Sequence, residues 1–441
     1  MQNHPAPSLI VRFLNGGLSA EESSSVVRHL LGCERCLAGL APEAGVLLSP
    51  EPVPEEAYEL PIRRAFEAVA RHGADALAIK ASTRKLHRQM AAKGLEAVSL
   101  KSHPDVAVFE ALLLRMQDLR HEDPRTMVQH GRIALQTAKA MAKSCPSKEH
   151  ADLQTRALAE LANALRVADD LHDALKHLEM AEQWFMAGTQ CVALWLRLQD
   201  VRASLYGAQQ HYQDAICLLE EVFEGRLRLG DHAGAARALI GKAVFTGYSG
   251  NFEGELLLLD QGSALLESRH DSKIQSLLHH NKLYVLVELG RYLEAFAHLD
   301  QHRLLLGNAS GRLDRVKLLG LEARIHTGLG HFDLAEALLQ EAKLGLAELE
   351  VRGHEALAGL DLATVILRQD RSRYMEAVTL AVESLATFTQ LQVKPQVIEA
   401  LTVLAHAIKD SLVTATLLQS VADFVRKAEH DRRARYQPRF E

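Results

Sequence analysis

Leu289-Gly290-Arg291-Tyr292, followed by Ala295 and Leu299, returns forty residues later as Leu329-Gly330-His331-Phe332, followed by Ala335, Leu339 and Ala342. The frame extends in both directions. Tyr212, Phe252, Tyr292 and Phe332 stand 40 residues apart, Leu171 precedes them by 41 and Tyr374 follows by 42. Ala174, Ala215, Ala295, Ala335 and Ala377 each lie three residues after the turn residue, and Leu178 and Leu219 repeat the next large position. The physics is that of a helical hairpin. Glycine supplies the tight or left-handed residue that ends the first helix. The aromatic opens the second helix, the alanine lets two helices approach closely, and the leucine fills the gap one turn further on. A fixed period near forty residues means stacked units that each bury a face against the next.

Around this frame, apolar residues recur at three- and four-residue spacing, as in Thr155–Val167 and Ala335–Leu346, which is the helical signature. β-Branched alternation is nearly absent. No proline falls between Ser147 and Lys394, so helices there can run uninterrupted. The expected fold is all-α. The turn pattern resembles the tetratricopeptide repeat (TPR) family, with its Leu-Gly-x-Tyr-x-x-Ala turn and small/large alternation, over roughly Val106 to Leu391. The resemblance implies a right-handed TPR-like α-solenoid of about seven hairpins, the first being Val106–Ala142. Two departures stand out. The period exceeds the family's usual ~34 residues, and Glu255 replaces the alanine expected after Phe252.

Composition excludes several classes. The 441 residues are 48% apolar with a net charge of −6, so the chain is neither disordered nor strongly basic. Five cysteines are too few for a disulfide scaffold. No apolar run reaches the 18 or so residues that span a bilayer. Met1–Ala6 shows no basic n-region or h-region, so no signal peptide is expected and the expected compartment is the reducing cytoplasm. Seven of the twelve prolines fall between Pro5 and Pro61, and Ser49–Glu56 alternates proline with small or acidic residues. That stretch reads as an extended linker. The expected division is a zinc-binding domain at 1–45, a linker at 46–56, connecting helices at 57–104, the array at 105–392, and capping helices with a basic tail at 393–441.

The first 45 residues hold His-x24-His-x3-Cys-x2-Cys, from His4, His29, Cys33 and Cys36. Ser19 with Glu22 three residues on reads as a capping box, and Val26–Leu31 as helix. His29 and Cys33 are then i and i+4 on one face. Cys36 follows at knuckle spacing, and His4 from the N-terminal arm would be the fourth ligand. Two imidazoles and two thiolates suit tetrahedral zinc. A redox dithiol is compatible with the same cysteines. This motif, with Gly16–Glu22 and Val27–Cys33 around it, resembles the zinc-binding anti-sigma domain family. The resemblance covers about residues 1–45. It implies a module that occludes an RNA-polymerase sigma factor, or one reused for other protein contacts.

The array offers a groove. Asn163, Arg166, Ser204, Lys242, Asn281, Lys282 and Arg324 precede the turns by one or two helical turns and are the expected groove lining for a protein or peptide partner. Adjacent His279 and His280 point about 100° apart on a helix and form no chelate together. Cys145, Cys191, Cys217, Trp184 and Trp195 read as packing residues. The basic tail around Arg426, Arg432, Arg433 and Arg439 reads as a solvated last helix, so direct nucleic-acid binding is not expected. No phosphate loop, nucleophile elbow or kinase motif is present, so no catalytic residue is expected. The chain therefore reads as a non-enzymatic adaptor, with a sigma factor as a partner of the zinc module. The alternative is a repeat scaffold whose zinc knuckle is only structural. Substituting Cys33→Ser should lower the zinc content by one ion per chain and unfold residues 1–45, because so small a domain depends on its metal. Elemental analysis checks this, and an unchanged zinc content would remove the assignment.

Overall fold

The computed structural model describes seven single positions before residue 78 (Leu9, Arg12, Glu22, Ser25, Val26, His29 and Cys33). Beyond them it describes 78–95, 105–120, 123–143, 145–266, 272–308, 311–391, 394–431 and 434–438. The chain divides into two compact units, Met1–Ala78 and Ile79–Glu441. In the first unit Leu9, Arg12, Glu22, Ser25, Val26 and His29 are helical, and Val26 is buried. His29 and Cys33 are half-buried. His4 and Cys36, and the expected linker at 46–56, lie outside the described residues.

The second unit is a succession of helical hairpins. They are α1 (Val106–Leu119) with α2 (Pro124–Ala140), α3 (Ser147–Val167) with α4 (Leu171–Ala187), and α5 (Val192–Ala208) with α6 (Tyr212–Arg228). Then come α7 (His232–Tyr248) with α8 (Phe252–Leu266), α9 (Ser272–Glu288) with α10 (Tyr292–Asn308), and α11 (Arg312–Gly328) with α12 (Phe332–Glu348). The series ends with α13 (Arg352–Gln369) and α14 (Tyr374–Gln390), followed by α15 (Pro395–Lys409) and α16 (Ala415–His430). A further helix over 78–93 carries buried Met90, and its His87 Nε2 lies 2.7 Å from Asp118. Among the described residues there is no strand, and no helix is long and apolar enough to cross a membrane. The all-α, TPR-like solenoid expected from the repeats is what forms.

The turns repeat one device. Gly290 and Gly330 adopt φ of 69° and 79°, as the glycines of the turn motif predict. Asp169 and Gln210 take the same left-handed conformation, each at φ 64°, without glycine. The following amide then bonds back five residues, as Arg291 to Leu286 and His331 to His326, and closes a Schellman cap. Asp170, Asp231 and Asn251 accept amides of the next helix at its N-terminus. The small/large alternation packs as expected. Ala215, Ala295, Ala335 and Ala377 are fully buried, with Leu219, Leu299 and Leu339 one turn on. Each buried leucine contributes about 1.5–3 kcal/mol.

Three packing expectations are corrected. Trp184 and Trp195 are 37% and 41% exposed; Phe185, next to Trp184 on α4, takes the buried position and packs its ring 5.5 Å from that of Trp195. Cys191 and Cys217 are exposed, and Cys145 is half-buried. The last helix is not a solvated cap. Leu417, Leu418, Val421, Ala422 and Val425 of α16 are buried, because the helix carries a broad apolar stripe and packs along α13. Tyr436 folds back over it, with its hydroxyl 2.7 Å from Ser420 Oγ. Arg432, Arg433 and Arg439 lie outside the described residues.

Stacking of units also depends on glycine as empty space. A Cβ on Gly328 would lie 2.3 Å from the ring of Tyr292, the turn aromatic of the preceding hairpin. Gly328→Ala should therefore destabilise the array by about 1–3 kcal/mol through overpacking. The denaturant midpoint reports it, and a midpoint within error of the parent would show that the ring gives way freely.

Candidate functional site

The first helices of successive hairpins line the concave face, and the 40-residue period sets their register. Val244, Tyr284 and Arg324 occupy equivalent positions on α7, α9 and α11. So do Asn281, Leu321 and Asp361 on α9, α11 and α13. With α16 they enclose a cavity of about 390 Å³, within the range of small-ligand pockets.

The C-terminal part of α16 is held to this face at two points about one turn apart. Arg426 forms an ion pair with Asp361 of α13 and another, at 3.0 Å, with Asp423. At the second point the Tyr212 hydroxyl donates to the His430 carbonyl, and Gln210 Nε2 donates to the Glu429 carbonyl at 3.3 Å. Lys394 Nζ donates to the same Glu429 carbonyl at 2.7 Å. These donors satisfy carbonyls of the last turn that have no partner within the helix. The His430 ring stacks on Tyr248 at 3.7 Å between centroids. Residues some 218 positions apart in sequence are thereby joined.

Most titratable groups on this wall are neutral. Glu255, the residue that breaks the repeat pattern, is only 3% exposed, and its carboxyl reaches the backbone of Gly247, where a Cβ would collide with it. Burial, reinforced by Glu288, pushes it up to about 8. Burial pushes the His354 and His430 imidazoles down to about 4, with Lys317 and Lys394 respectively adding to it. His280 moves the same way by burial. Burial likewise raises the Tyr248 and Tyr284 hydroxyls. Arg324 and Glu288 face each other at 2.9 Å. Among the described residues Lys317 has no hydrogen bond or ion pair, and it stands beside Leu321, Leu346 and Leu357 in the cavity wall.

Of the seven expected groove residues, Ser204 is half-buried and outside the cavity lining, and the other six separate into three groups. Asn281 and Arg324 line the cavity. Lys242 and Lys282 do not. Each pairs with a carboxylate 22 positions upstream, Glu220 and Asp260, so the two repeat one inter-helix ion pair a unit apart. Asn163 and Arg166 belong to another cluster, where Arg166 Nη2 donates to Asn163 Oδ1 at 2.9 Å. Burial, with Arg120 and Arg197 close by, lowers Arg166 to about 10. In the same region Arg197 grips Glu160 with two bonds of 2.7 and 2.8 Å. Sequence reasoning missed Tyr248, Lys317, Asp361, Arg426 and His430. Glu255 in place of alanine was the visible sign. Adjacent His279 and His280 diverge as expected, but only His280 faces the cavity.

No family model matches the sequence, and no curated protein matches it. Among solved structures the chain is similar to a Rap protein complexed with Competence and Sporulation Factor, at 13% identity and a TM-score of 0.51, over 73% of this chain and 91% of that one. It is also similar to the apo form of RapI, at 12% identity and a TM-score of 0.46, over 64% and 98% of the two chains. BtubC from P. vanneervenii matches at 13% identity and a TM-score of 0.43, over 52% and 92%. At such identities the first likeness carries the helical-repeat fold and nothing more.

Glu255 gives the cavity a pH signature. Its folded value is raised, so between its ordinary value near 4.5 and about 8 the native state holds a proton that the unfolded chain has lost. Stability therefore falls as pH rises through that window. The depressed histidines act in the opposite sense, but only below their ordinary 6.5. From about pH 6.5 to 9 the loss from Glu255 should be about 2 kcal/mol, and Glu255→Gln should abolish it. Urea midpoints of both proteins across that range test the assignment; parallel curves would refute it.

Proposed function

We propose that this chain is a non-catalytic regulatory adaptor whose concave cavity takes a short carboxylate-bearing segment of a protein partner. The observation that carries the reading is Lys317. It is a cation without an ion-pair partner among the described residues, set beside leucines in a cavity wall whose histidines and Glu255 are neutral. A carboxylate there would gain a charge-assisted hydrogen bond, and the flanking apolar residue would cover Leu321 and Leu357. Support by analogy comes from the Rap protein that holds Competence and Sporulation Factor on a helical-repeat fold. α16 forms one wall of the cavity, so a partner entering it meets Arg426 and His430 of the chain's own last helix.

The N-terminal reading remains a proposal that rests on its motif. Zinc would be held by His4, His29, Cys33 and Cys36, and the module would contact a sigma factor or another protein. The repeat scaffold with a structural zinc knuckle is the simpler form of the same adaptor, and the concave cavity supports it without requiring a sigma factor.

The test is a displayed peptide library panned on the full chain and on its Lys317→Glu variant, with helicity confirmed by circular dichroism. The parent should enrich peptides with an acidic residue or free C-terminus beside an apolar residue. The variant should bind them ten- to a hundredfold more weakly, the worth of one charged hydrogen bond of roughly 1.5–3 kcal/mol. Equal enrichment by both proteins would show that the cavity is not the binding site.

A further inference from the structure

Away from the cavity, His279 on α9 turns toward His298 and His302, which stand one helical turn apart on α10. One nitrogen from each of the three rings lies within 4.8 Å of the other two. The rings of His279 and His302 stack at 3.7 Å, and those of His298 and His302 are 4.7 Å apart. We propose that His279, His298 and His302 form a three-imidazole site for a late first-row divalent metal ion such as zinc, clamping α9 to α10.

Three observations carry the assignment. First, the donors come from a helix pair in the spacing that metal sites use, i and i+4 on one helix and a single residue from its neighbour. Second, His279 Nδ1 and His298 Nε2 are buried and have no hydrogen-bond partner among the described residues. A buried polar atom left so costs about 1–3 kcal/mol. Rings that merely packed together would carry that cost twice, whereas a metal would satisfy both atoms. Third, the His279 and His298 rings lie 5.2 Å apart between centroids, so all three imidazoles converge on one point. Burial also keeps His279 and His298 in the neutral form a metal needs.

The charges around the site permit it. Lys282 on α9 is the nearest opposing charge, and Asp260 of α8 takes it up in an ion pair. Zinc–nitrogen bonds of about 2.0–2.1 Å require the nitrogens to draw together from their present separation. Rotation about χ2, which is soft for histidine, supplies most of that movement. Three imidazoles leave a fourth position open to water or a ligand, and imidazole donors suit zinc, copper, iron and nickel.

The test uses the full chain bearing Cys33→Ser, which removes one of the two thiolates expected to ligate zinc in the first unit and so breaks that site. Zinc chloride is titrated calorimetrically into this protein at pH 7.5, and into versions that also carry His298→Gln or His302→Gln. The Cys33→Ser chain should bind one zinc ion and melt several degrees higher with it, by mass action. Each histidine substitution should weaken that binding at least tenfold while leaving the metal-free melting temperature within a few degrees. Cobalt in the Cys33→Ser chain should give a d–d spectrum without a thiolate charge-transfer band. Absence of binding to the Cys33→Ser chain, or binding that survives both histidine substitutions, would overturn the site.

Discussion

The ion pair between Arg426 and Asp361 decides what the concave face becomes. Both side chains are largely withdrawn from water, at 14% and 12% exposure. A buried guanidinium is costly to desolvate, and only opposed charge with good geometry offsets that cost. Asp361 supplies it from α13 and Asp423 from α16 itself, and the pair with Asp361 fixes where along α13 the last helix lies. With Arg426 fixed, the C-terminal turn of α16 reaches Tyr212 and Tyr248, and an open groove becomes a walled cavity. Repeat stacking alone would leave that face to solvent.

The neutrality of the wall follows from the same closure. Glu255, His354 and His430 would be charged or readily titrated on an open groove. Covered by α16 and by one another, each shifts toward its uncharged form. The result is a half-apolar chamber in which the guanidiniums of Arg324 and Arg426 are paired, while Lys317 has no ion-pair partner among the described residues. A carboxylate entering it, as proposed, would meet Lys317 without having to displace an existing ion-pair partner.

The sequence announced the array but not the closure, and the reason is physical. Turn glycines, the alanine three residues on and the next leucine are local constraints, and a 40-residue spacing makes them visible as a pattern. Gly290, Gly330, Ala295 and Ala335 accordingly fold as read. The contact of Tyr212 with His430 has no local signature, because it depends on the curvature accumulated over five hairpins. The same holds for His279 with His298 and His302. From the sequence, His279 invited comparison with its neighbour His280, yet its partners sit 19 and 23 positions away on the next helix. The groove residues split for a related reason. Lys242 and Lys282 sit at repeat-equivalent positions and meet repeat-equivalent carboxylates, so what resembled a binding pattern is part of the stacking. Glu255 is the instructive case. A residue that broke the packing rule was legible as an exception, and the exception stands in the cavity.

The length of the repeat connects these features. From α5 onward most helices have about 17 residues, and α5, α6 and α7 are joined by three-residue turns. Compared with a unit of ~34 residues, the additional residues lengthen each helix by about three positions. At 1.5 Å per residue that is about 4–5 Å, close to one more turn. The last turn of the first helices is where Tyr248 and Glu288 stand, one stacked on His430 and the other facing Arg324. α16, with 16 residues, spans about 24 Å, and the 17-residue first helices span about 25 Å. A concave wall of that height can hold a helix of its own chain against one part and still leave room beside it. Shorter units would bring the second-helix turns up to α16 and fill that space. The long period is thus the condition for having both a closing helix and a cavity on the same face.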